Sequence, residues 1–184
     1  GLRAGAGPVA VNGATGGVAS IAIDMLAGLG VEVHALTRQP DDGWLRALGA
    51  ATVVPPLAVG TRPLEAATWS GAIDSLGGAA LDALLRTMRP DGVVAAFGNA
   101  AGNDLATSVL PFILRGVRLL GINANSPMPL RRRVWARIGS DLKPRHAASI
   151  GTTIAIDDLP GAFEALLEGR GRGRFVVDLR ARGR

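Results

Sequence analysis

Short apolar runs alternate with segments of helical periodicity along most of this chain. The apolar runs predict strands at 8–11, 31–36, 51–54, 69–74, 92–97 and 117–122. Between them, apolar residues recur at helical spacing and predict helices at 18–29, 42–48 and 79–88. A helix between two strands lets the chain return so that the strands pair in parallel. The pattern therefore predicts an α/β fold, a doubly wound parallel sheet with helices on both faces.

The regular alternation of short strands and helices ends after Asn125. A helix is predicted at 130–142, and it is followed by a strand at 152–156, a helix at 158–167 and a strand at 174–179. At 184 residues, the chain is long enough for one domain with a sizeable core. We therefore expect one domain over residues 1–150 and a C-terminal α/β tail over residues 151–184.

A glycine-rich turn joins the first predicted strand to the first predicted helix. The turn consists of residues 12–17, NGATGG. In a dinucleotide-binding unit, glycines at this point let the backbone approach the pyrophosphate, whose charge is met by the helix N-terminus. The spacing Gly13-x-x-Gly16-x-x-Ala19 is a variant of the usual fingerprint. It favours a Rossmann, NAD(P)-binding domain whose site includes Gly13, Thr15, Gly16 and Gly17, and the alternative is a tight turn that binds nothing.

The second predicted strand ends in Leu36-Thr37-Arg38. A site for NADH normally has Asp or Glu here, roughly 20 residues past the glycines, to accept hydrogen bonds from the ribose. Arg38 can instead pair with a 2′-phosphate through its planar guanidinium, and Thr37 can donate from its hydroxyl. These residues favour NADPH over NADH. The alternative is that Arg38 is an exposed strand-end residue and that Asp41 or Asp42 reaches the ribose.

The residue types that the chain lacks exclude several classes of chemistry. There is no cysteine, and the histidines are His34 and His146 alone, so the chain can form neither a disulfide nor a Cys/His zinc site. There is also no tyrosine, which excludes the Tyr-x-x-x-Lys catalysis of short-chain dehydrogenases. We therefore expect no bound metal.

Positive charge resides almost wholly in arginine. The net charge is +5, and Lys143 is the single lysine among 20 basic residues. The densest basic run, residues 131–133 with Arg137, has no interleaved Phe or Tyr, so a solvated helix face is favoured over a nucleic-acid-binding patch. No apolar run approaches the roughly 20 residues that span a bilayer, and residues 1–3 lack the order of a signal peptide. We expect a cytoplasmic protein that binds neither nucleic acid nor membrane.

Several longer motifs resemble those of one family. They are NGATGGV at 12–18, WSGAID at 69–74, FGNAAG at 97–102, LPFILRGVRLLGIN at 110–123 and GRGRFVVD at 171–178. The chain resembles the NADPH-dependent acryloyl-CoA reductase group of the zinc-independent medium-chain dehydrogenases/reductases, whose members are often labelled quinone oxidoreductases. This resemblance implies that the chain is the C-terminal part of such an enzyme, that the N-terminal GroES-like catalytic domain is missing from this sequence, and that the tail returns to that domain.

The same resemblance implies which residues bind the cofactor. They are Gly16, Gly17 and Val18 along the pyrophosphate, Thr37 and Arg38 at the 2′-phosphate, Phe97, Gly98 and Asn99 beside the nicotinamide ribose and ring, and Asn123 at the strand end that faces the active-site cleft. Two positions depart from the family pattern, which more commonly has threonine at Asn12 and glycine at Ala19.

The reaction implied by the resemblance is hydride transfer from NADPH to the β-carbon of an enoyl thioester, as in the reduction of acryloyl-CoA to propionyl-CoA. Hydrogen-bond donors would stabilise the enolate before the α-carbon is protonated. The chain offers no suitable proton donor, so the catalytic residues are unassigned and are expected, with the thioester pocket, in the missing domain. The alternatives are a quinone or enone oxidoreductase and a non-catalytic NADPH-binding module.

The predicted strand at 117–122 allows two interpretations. It can be ordinary core, or it can be the sheet edge that pairs with a second subunit, as the resemblance implies for the intact enzyme. The expected partners are therefore a small-molecule substrate, an acyl-CoA or an enone, and a second copy of the chain.

Overall fold

Six parallel strands form the main sheet of the computed structural model, which describes residues 4–39 and 43–181. The strands are β1 (Val9–Asn12), β2 (Val33–Leu36), β3 (Thr52–Val54), β4 (Trp69–Asp74), β5 (Met88–Ala96) and β6 (Arg118–Gly121). Their spatial order is β3-β2-β1-β4-β5-β6, and every neighbouring pair is parallel. The order reverses between β1 and β4, as in doubly wound sheets. The predicted fold class is therefore confirmed.

Helices connect these strands and continue beyond them. They are α1 (Gly17–Gly28), α2 (Trp44–Ala47), α3 (Gly78–Arg86), α4 (Leu110–Arg115), α5 (Met128–Ile138) and α6 (Ala147–Ile150). The sequence does not predict α4 or α6, and it extends α5 to residue 142. The predicted start of α2, at residue 42, lies outside the described residues. Among residues 4–39 and 43–181, each helix is too short or too polar to span a lipid bilayer.

The sheet separates two buried apolar layers. Successive residues of a strand point to opposite faces, so Val9 and Val11 of β1 pack on one side, whereas Ala10 packs on the other. Side chains of α1 and α2 complete the first layer, and side chains of α3 complete the second. Full burial of each leucine, isoleucine or valine contributes roughly 1.5–3 kcal/mol to folding. Helices on both faces are thus required to cover the sheet.

Strand β5 is longer than its apolar run predicts. The sequence places the strand at 92–97, because Pro90 and Asp91 before Gly92 are typical of a turn. In the structure β5 begins at Met88, and Asp91 has a φ of 60° within the strand. The register with β4 shifts between Trp69 and Gly71. Residues 89–92 have no partner on β4, so the turn-forming residues make an irregular stretch within the strand rather than a strand boundary.

The last part of the chain forms a second, two-stranded sheet. Its parallel strands are β7 (Gly151–Ala155) and β8 (Arg174–Asp178), and the chain between them forms a 3₁₀ turn (Ile156–Asp158) and α7 (Leu159–Leu167). Residues 151–178 are called the C-terminal arm below. The Gly173 N–H donates to the Thr15 carbonyl over 2.8 Å, so the arm returns to the glycine-rich turn after β1.

A buried carboxylate on α1 anchors the chain just before the arm. Asp24 is 1% exposed, and its oxygens lie 2.8 Å from the His146 backbone nitrogen and 2.9 Å from the His146 Nδ1. Ile150, on the short helix that follows, packs into the apolar layer beside α1. A buried carboxylate needs such donors because burial without them is costly. The Asp24–His146 contact therefore helps to dock this part of the chain.

We expect Asp24→Ala to lower the free energy of unfolding by about 1–3 kcal/mol, because two hydrogen bonds at a buried site are lost. Urea unfolding of the purified chain measures the change. Glu32→Ala is a matched control, since it removes a carboxylate that pairs with the other histidine, His34, at the surface over 2.8 Å. The control is expected to change the free energy by less than about 0.5 kcal/mol. Equal losses in the two variants would contradict the anchoring role of Asp24.

Candidate cofactor site

A cleft of about 920 Å³ lies at the carboxyl ends of the central strands. It is bordered by the turn after β1, the end of β2, the loops after β4 and β5, and part of the C-terminal arm. The strand order reverses between β1 and β4, and doubly wound sheets bind ligands in the crevice at that point. The topology alone therefore makes this cleft the candidate binding site.

The turn after β1 requires glycine for its backbone shape. Gly13 has a φ of +66°, and a Cβ at this position would overlap the Ser75 hydroxyl. The Gly16 N–H donates to the Gly13 carbonyl over 2.9 Å, and α1 begins at Gly17. The first amides of a helix have no acceptor within it, so they present partial positive charge. Because Gly16, Gly17 and Val18 line the cleft, this charge faces any bound anion.

The side chain of Arg174, on β8, lies over the start of α1. A Cβ at Gly17 would overlap the side chain of Arg174, so glycine leaves the space that this arginine occupies. Arg174 also lines the cleft. A guanidinium and a helix N-terminus thus converge on one place, which suits a phosphate. The sequence analysis did not assign Arg174, although the residue stands in the motif at 171–178.

A buried hydrogen-bond network holds the turn against β4. The Asp74 carboxylate is fully buried, and it accepts from Asn12 Nδ2 over 3.1 Å and from the Gly77 N–H over 2.9 Å. Ser75 Oγ donates to the Asn12 carbonyl over 2.9 Å. Asn12 departs from the family pattern, and the structure shows that its amide serves as the partner of Asp74. These contacts fix the turn relative to the neighbouring strand.

The end of β2 presents Thr37 and Arg38 to the same cleft. Thr37 is buried, its N–H donates to the Val54 carbonyl over 3.1 Å, and its Oγ1 accepts from the Gln39 N–H over 3.0 Å. The hydroxyl proton of Thr37 therefore stays available for a ligand. Arg38 is exposed and lines the cleft. Asp41 and Asp42, the alternative ribose ligands, lie outside the described residues.

The loop after β5 borders both the cleft and an adjoining cavity, a shallow space of about 560 Å³ that is largely open to solvent. Phe97 lines both spaces, and the second is also lined by Gly98, Asn99 and Asn123. A Cβ at Gly98 would overlap the backbone of Ser75, so the loop packs tightly on the residue after β4. Asn99 Nδ2 donates to Asn103 Oδ1 over 2.5 Å, and Asn123 Oδ1 accepts from the Asn125 N–H over 2.8 Å.

The predicted site residues thus fall into two adjoining groups. The main cleft is lined by Gly13, Thr15, Gly16, Gly17, Val18, Thr37, Arg38 and Phe97. The adjoining cavity is lined by Phe97, Gly98, Asn99 and Asn123. The structure also adds lining residues that the sequence analysis did not name as ligands, which include Gln39, Ser75, Glu168 and Arg174. Their assignment to a cofactor remains a prediction.

Both histidines have partners away from the cleft. His34 packs edge-on against Trp69 with ring centroids 5.1 Å apart, and His146 contacts Asp24. Within the part of the chain that the structure describes, no three His, Cys, Asp or Glu side chains cluster as a metal site would require. Among the described residues, the charged side chains that line the cleft are those of Arg38, Glu168 and Arg174.

Comparison with protein families matches residues 17–140 of this chain to a family model described as zinc-binding dehydrogenase. Among curated proteins, the chain is 42% identical over 186 aligned residues to the acrylyl-CoA reductase AcuI of Ruegeria pomeroyi. The alignment covers 98% of this chain and 56% of that protein. The chain therefore spans just over half the length of this relative.

Solved structures also match nearly all of this chain but only about half of their own length. Escherichia coli K-12 YhdH with bound NADPH superposes with a TM-score of 0.90 at 36% identity, over 97% of this chain and 56% of that one. Bacillus subtilis YhfP with bound NAD superposes with a TM-score of 0.86 at 39% identity, again over 97% and 56% of the two chains. The similarity thus includes the six-stranded sheet and the C-terminal arm together.

We expect Gly98→Ala to lower the free energy of unfolding by about 1–3 kcal/mol, because the added methyl group would overlap the Ser75 backbone. Gly121→Ala is a matched control at the same cavity, since a Cβ there has no heavy atom within 4 Å. The control is expected to change the free energy by less than about 0.5 kcal/mol. Urea unfolding measures both, and a Gly98 variant as stable as the control would contradict the tight packing of this loop.

Proposed function

This chain belongs to the zinc-binding dehydrogenase family, and on that premise we propose that it is the NADPH-binding part of an enoyl-CoA reductase. The proposed enzyme transfers hydride to an activated carbon–carbon double bond, as in the conversion of acryloyl-CoA to propionyl-CoA. One observation carries this proposal. The cleft at the switch point combines a glycine turn and a helix N-terminus with two arginines, Arg38 and Arg174.

The residues present fit a phosphorylated dinucleotide. The amides of Gly17 and Val18 and the guanidinium of Arg174 would hold the pyrophosphate. The Thr37 hydroxyl and Arg38 would hold the 2′-phosphate. Phe97, Gly98, Asn99 and Asn123 would border the nicotinamide and its ribose, beside the cavity where a substrate can approach. When bound, NADPH supplies the hydride, and the chain's own residues bind and orient it.

The choice of NADPH over NADH rests on the residues at the end of β2. The solved relatives bind both kinds of cofactor, since YhdH was found with NADPH and YhfP with NAD. Here β2 runs into Thr37 and Arg38, where a carboxylate would favour NADH. Both residues line the cleft, and Arg38 can form charge-assisted hydrogen bonds to a phosphate. These contacts support NADPH.

We assign residues 1–150 to the cofactor-binding domain and residues 151–184 to the tail of a second, GroES-like domain. The C-terminal arm supports this division because it exposes large apolar side chains. Phe163 is 57% exposed, and Leu167 is 88% exposed. Such side chains suit contact with further protein. The proton donor and the thioester pocket would belong to that second domain, and no residue of this chain is assigned to catalysis.

The remaining features of the proposal concern the intact enzyme. Strand β6 is an edge of the main sheet and exposes Leu120, so it supports a homodimer in which two such edges pair. The absence of cysteine supports chemistry that does not depend on a Cys/His zinc site in this chain. Cytoplasmic location is part of the same proposal. Quinone or enone reduction is the second candidate function, because the cofactor site would be the same.

Calorimetric titration with NADPH and NADH tests the cofactor assignment. We expect NADPH to bind more tightly, and Arg38→Gln to weaken NADPH about 10- to 100-fold while leaving NADH unchanged, since only NADPH carries the 2′-phosphate. Arg174→Gln is expected to weaken both cofactors by similar factors, because both contain the pyrophosphate. Arg132→Gln, on the exposed face of α5, is the control and should alter neither affinity. Failure of the chain to bind either cofactor would overturn the proposal.

A reductase assay tests the proposed reaction. With acryloyl-CoA present, we expect this chain to bind NADPH without oxidising it, because the proton donor is proposed to lie elsewhere. Fused to the N-terminal part of the Ruegeria pomeroyi relative, it should oxidise NADPH when acryloyl-CoA is added, as followed by nicotinamide absorbance. Oxidation with quinones alone would favour the second candidate function. A fusion that binds NADPH but reduces neither substrate would indicate a non-catalytic module.

A further inference from the structure

Gln39 connects the end of β2 to a loop of the C-terminal arm that lies 130 residues further along the chain. Its Nε2 donates to the Gly169 carbonyl over 2.7 Å and to the Gly171 carbonyl over 3.3 Å. Its backbone N–H donates to Thr37 Oγ1, so it shares a turn with the proposed 2′-phosphate ligands. We propose that Gln39 is a positioning residue that sets the selectivity for NADPH over NADH by holding this loop against Arg38. The inference rests on the proposed NADPH site.

The loop of residues 168–171 forms a wall beside the Arg38 guanidinium. A Cβ built on Gly169 would lie 3.5 Å from Arg38 Nη2, and Gly169 has a φ of +69°. The Gly169 N–H donates to the Leu166 carbonyl over 3.1 Å, and the Arg170 N–H donates to the Ala165 carbonyl over 2.8 Å. The loop backbone is therefore fixed to the end of α7. It limits the directions that the long, exposed side chain of Arg38 can take.

The same loop also carries a negatively charged side chain that lines the cleft. Glu168 lines the cleft, and its carboxylate pairs with the Arg170 guanidinium, with Nε and Oε2 2.6 Å apart. An unpaired carboxylate at this place would repel a 2′-phosphate. If the loop moved, Arg38 would lose its wall, and the Glu168 carboxylate would change its position relative to a 2′-phosphate. Both changes would weaken the binding of NADPH, and neither concerns the part of the cofactor that NADH shares.

The arm is held at several points, and Gln39 is the contact beside the proposed 2′-phosphate site. Elsewhere, the Gly173 N–H donates to the Thr15 carbonyl, next to the place proposed for the pyrophosphate, and the Arg172 guanidinium lies 5.0 Å from the centroid of the Trp44 ring. Loss of the Gln39 side-chain bonds leaves these other contacts intact. The pyrophosphate end of the site should therefore keep its shape while the 2′-phosphate end loosens. This separation predicts a change in selectivity rather than a general loss of binding.

The test compares 2′,5′-ADP with 5′-AMP, which differ only in the 2′-phosphate, in calorimetric titrations of the chain. We expect Gln39→Leu, which keeps the size but loses the amide, to weaken 2′,5′-ADP about 3- to 10-fold and to leave 5′-AMP unchanged. Gln39→Asn, whose shorter amide cannot span to both carbonyls, should act in the same direction. Arg145→Gln is the control, because it removes a hydrogen bond to the Gly28 carbonyl, outside the cleft. It should change neither affinity.

A double-mutant cycle with Arg38→Gln tests whether Gln39 acts through Arg38. In the Arg38→Gln background, we expect Gln39→Leu to have little further effect on 2′,5′-ADP, since interacting residues give non-additive changes. An unchanged ratio of the two affinities in both Gln39 variants, or equal losses for both ligands, would overturn this inference. A wild-type chain that does not prefer 2′,5′-ADP would instead overturn the proposed NADPH site itself.

Discussion

The buried carboxylate of Asp74 is the constraint on which the site depends. It lies at the end of β4, fully removed from solvent, where a carboxylate is tolerated only with hydrogen-bond donors around it. Asn12 supplies one donor from the end of β1, and Gly77 supplies another just before α3. The hydrogen bonds to this one carboxylate therefore join two central strands and a helix at the switch point. These bonds hold the glycine turn in position. They also fix the end of β4, and the loop that carries Gly98 packs on the next residue, Ser75.

The sequence predicts the parts of this structure that depend on neighbouring residues. The glycine turn occupies six consecutive positions, and each predicted strand is a short segment rich in apolar residues, so both can be identified locally. Strand β5 shows the limit of such reasoning. Its proline, aspartate and glycine at 90–92 have the composition of a turn and have no partner on β4, but Met88 before them and Val93 after them both pair with β4. Tertiary pairing thus continues the strand across a local interruption.

Contacts between distant parts of the chain could not be predicted in this way. Arg174 has no pattern around it that indicates a partner at Gly17, and Gln39 reaches the arm across 130 residues. Asn12 is a further example. It stands out in the sequence only as a departure from the family pattern, whereas its role follows from the buried acceptor that it faces. Local patterns in the sequence thus predict most of the proposed ligands, but they predict neither Arg174 nor the residues that hold the ligands in place.

Arginine illustrates the same point at the level of composition. The excess of arginine gives the chain its positive charge, yet the residues have different surroundings. Those at 131–133 lie exposed on α5, where water and salt screen them. Arg38 and Arg174 instead line a cleft next to helix and loop backbone. Their charge can act on a ligand because of where the fold places them, which no count of residues conveys.

The contact between the glycine turn and Gly173 joins positions near opposite ends of the described chain. The ribosome synthesises these positions at different times, because translation proceeds from the N-terminus to the C-terminus and the N-terminal part can fold first. The main sheet has all its strands once Gly121 is available, whereas the wall formed by the arm needs residues up to Arg174. A nascent chain can therefore fold its sheet around an open cleft. Any ligand that contacts both the sheet and the arm can therefore bind fully only after residue 174 has been synthesised.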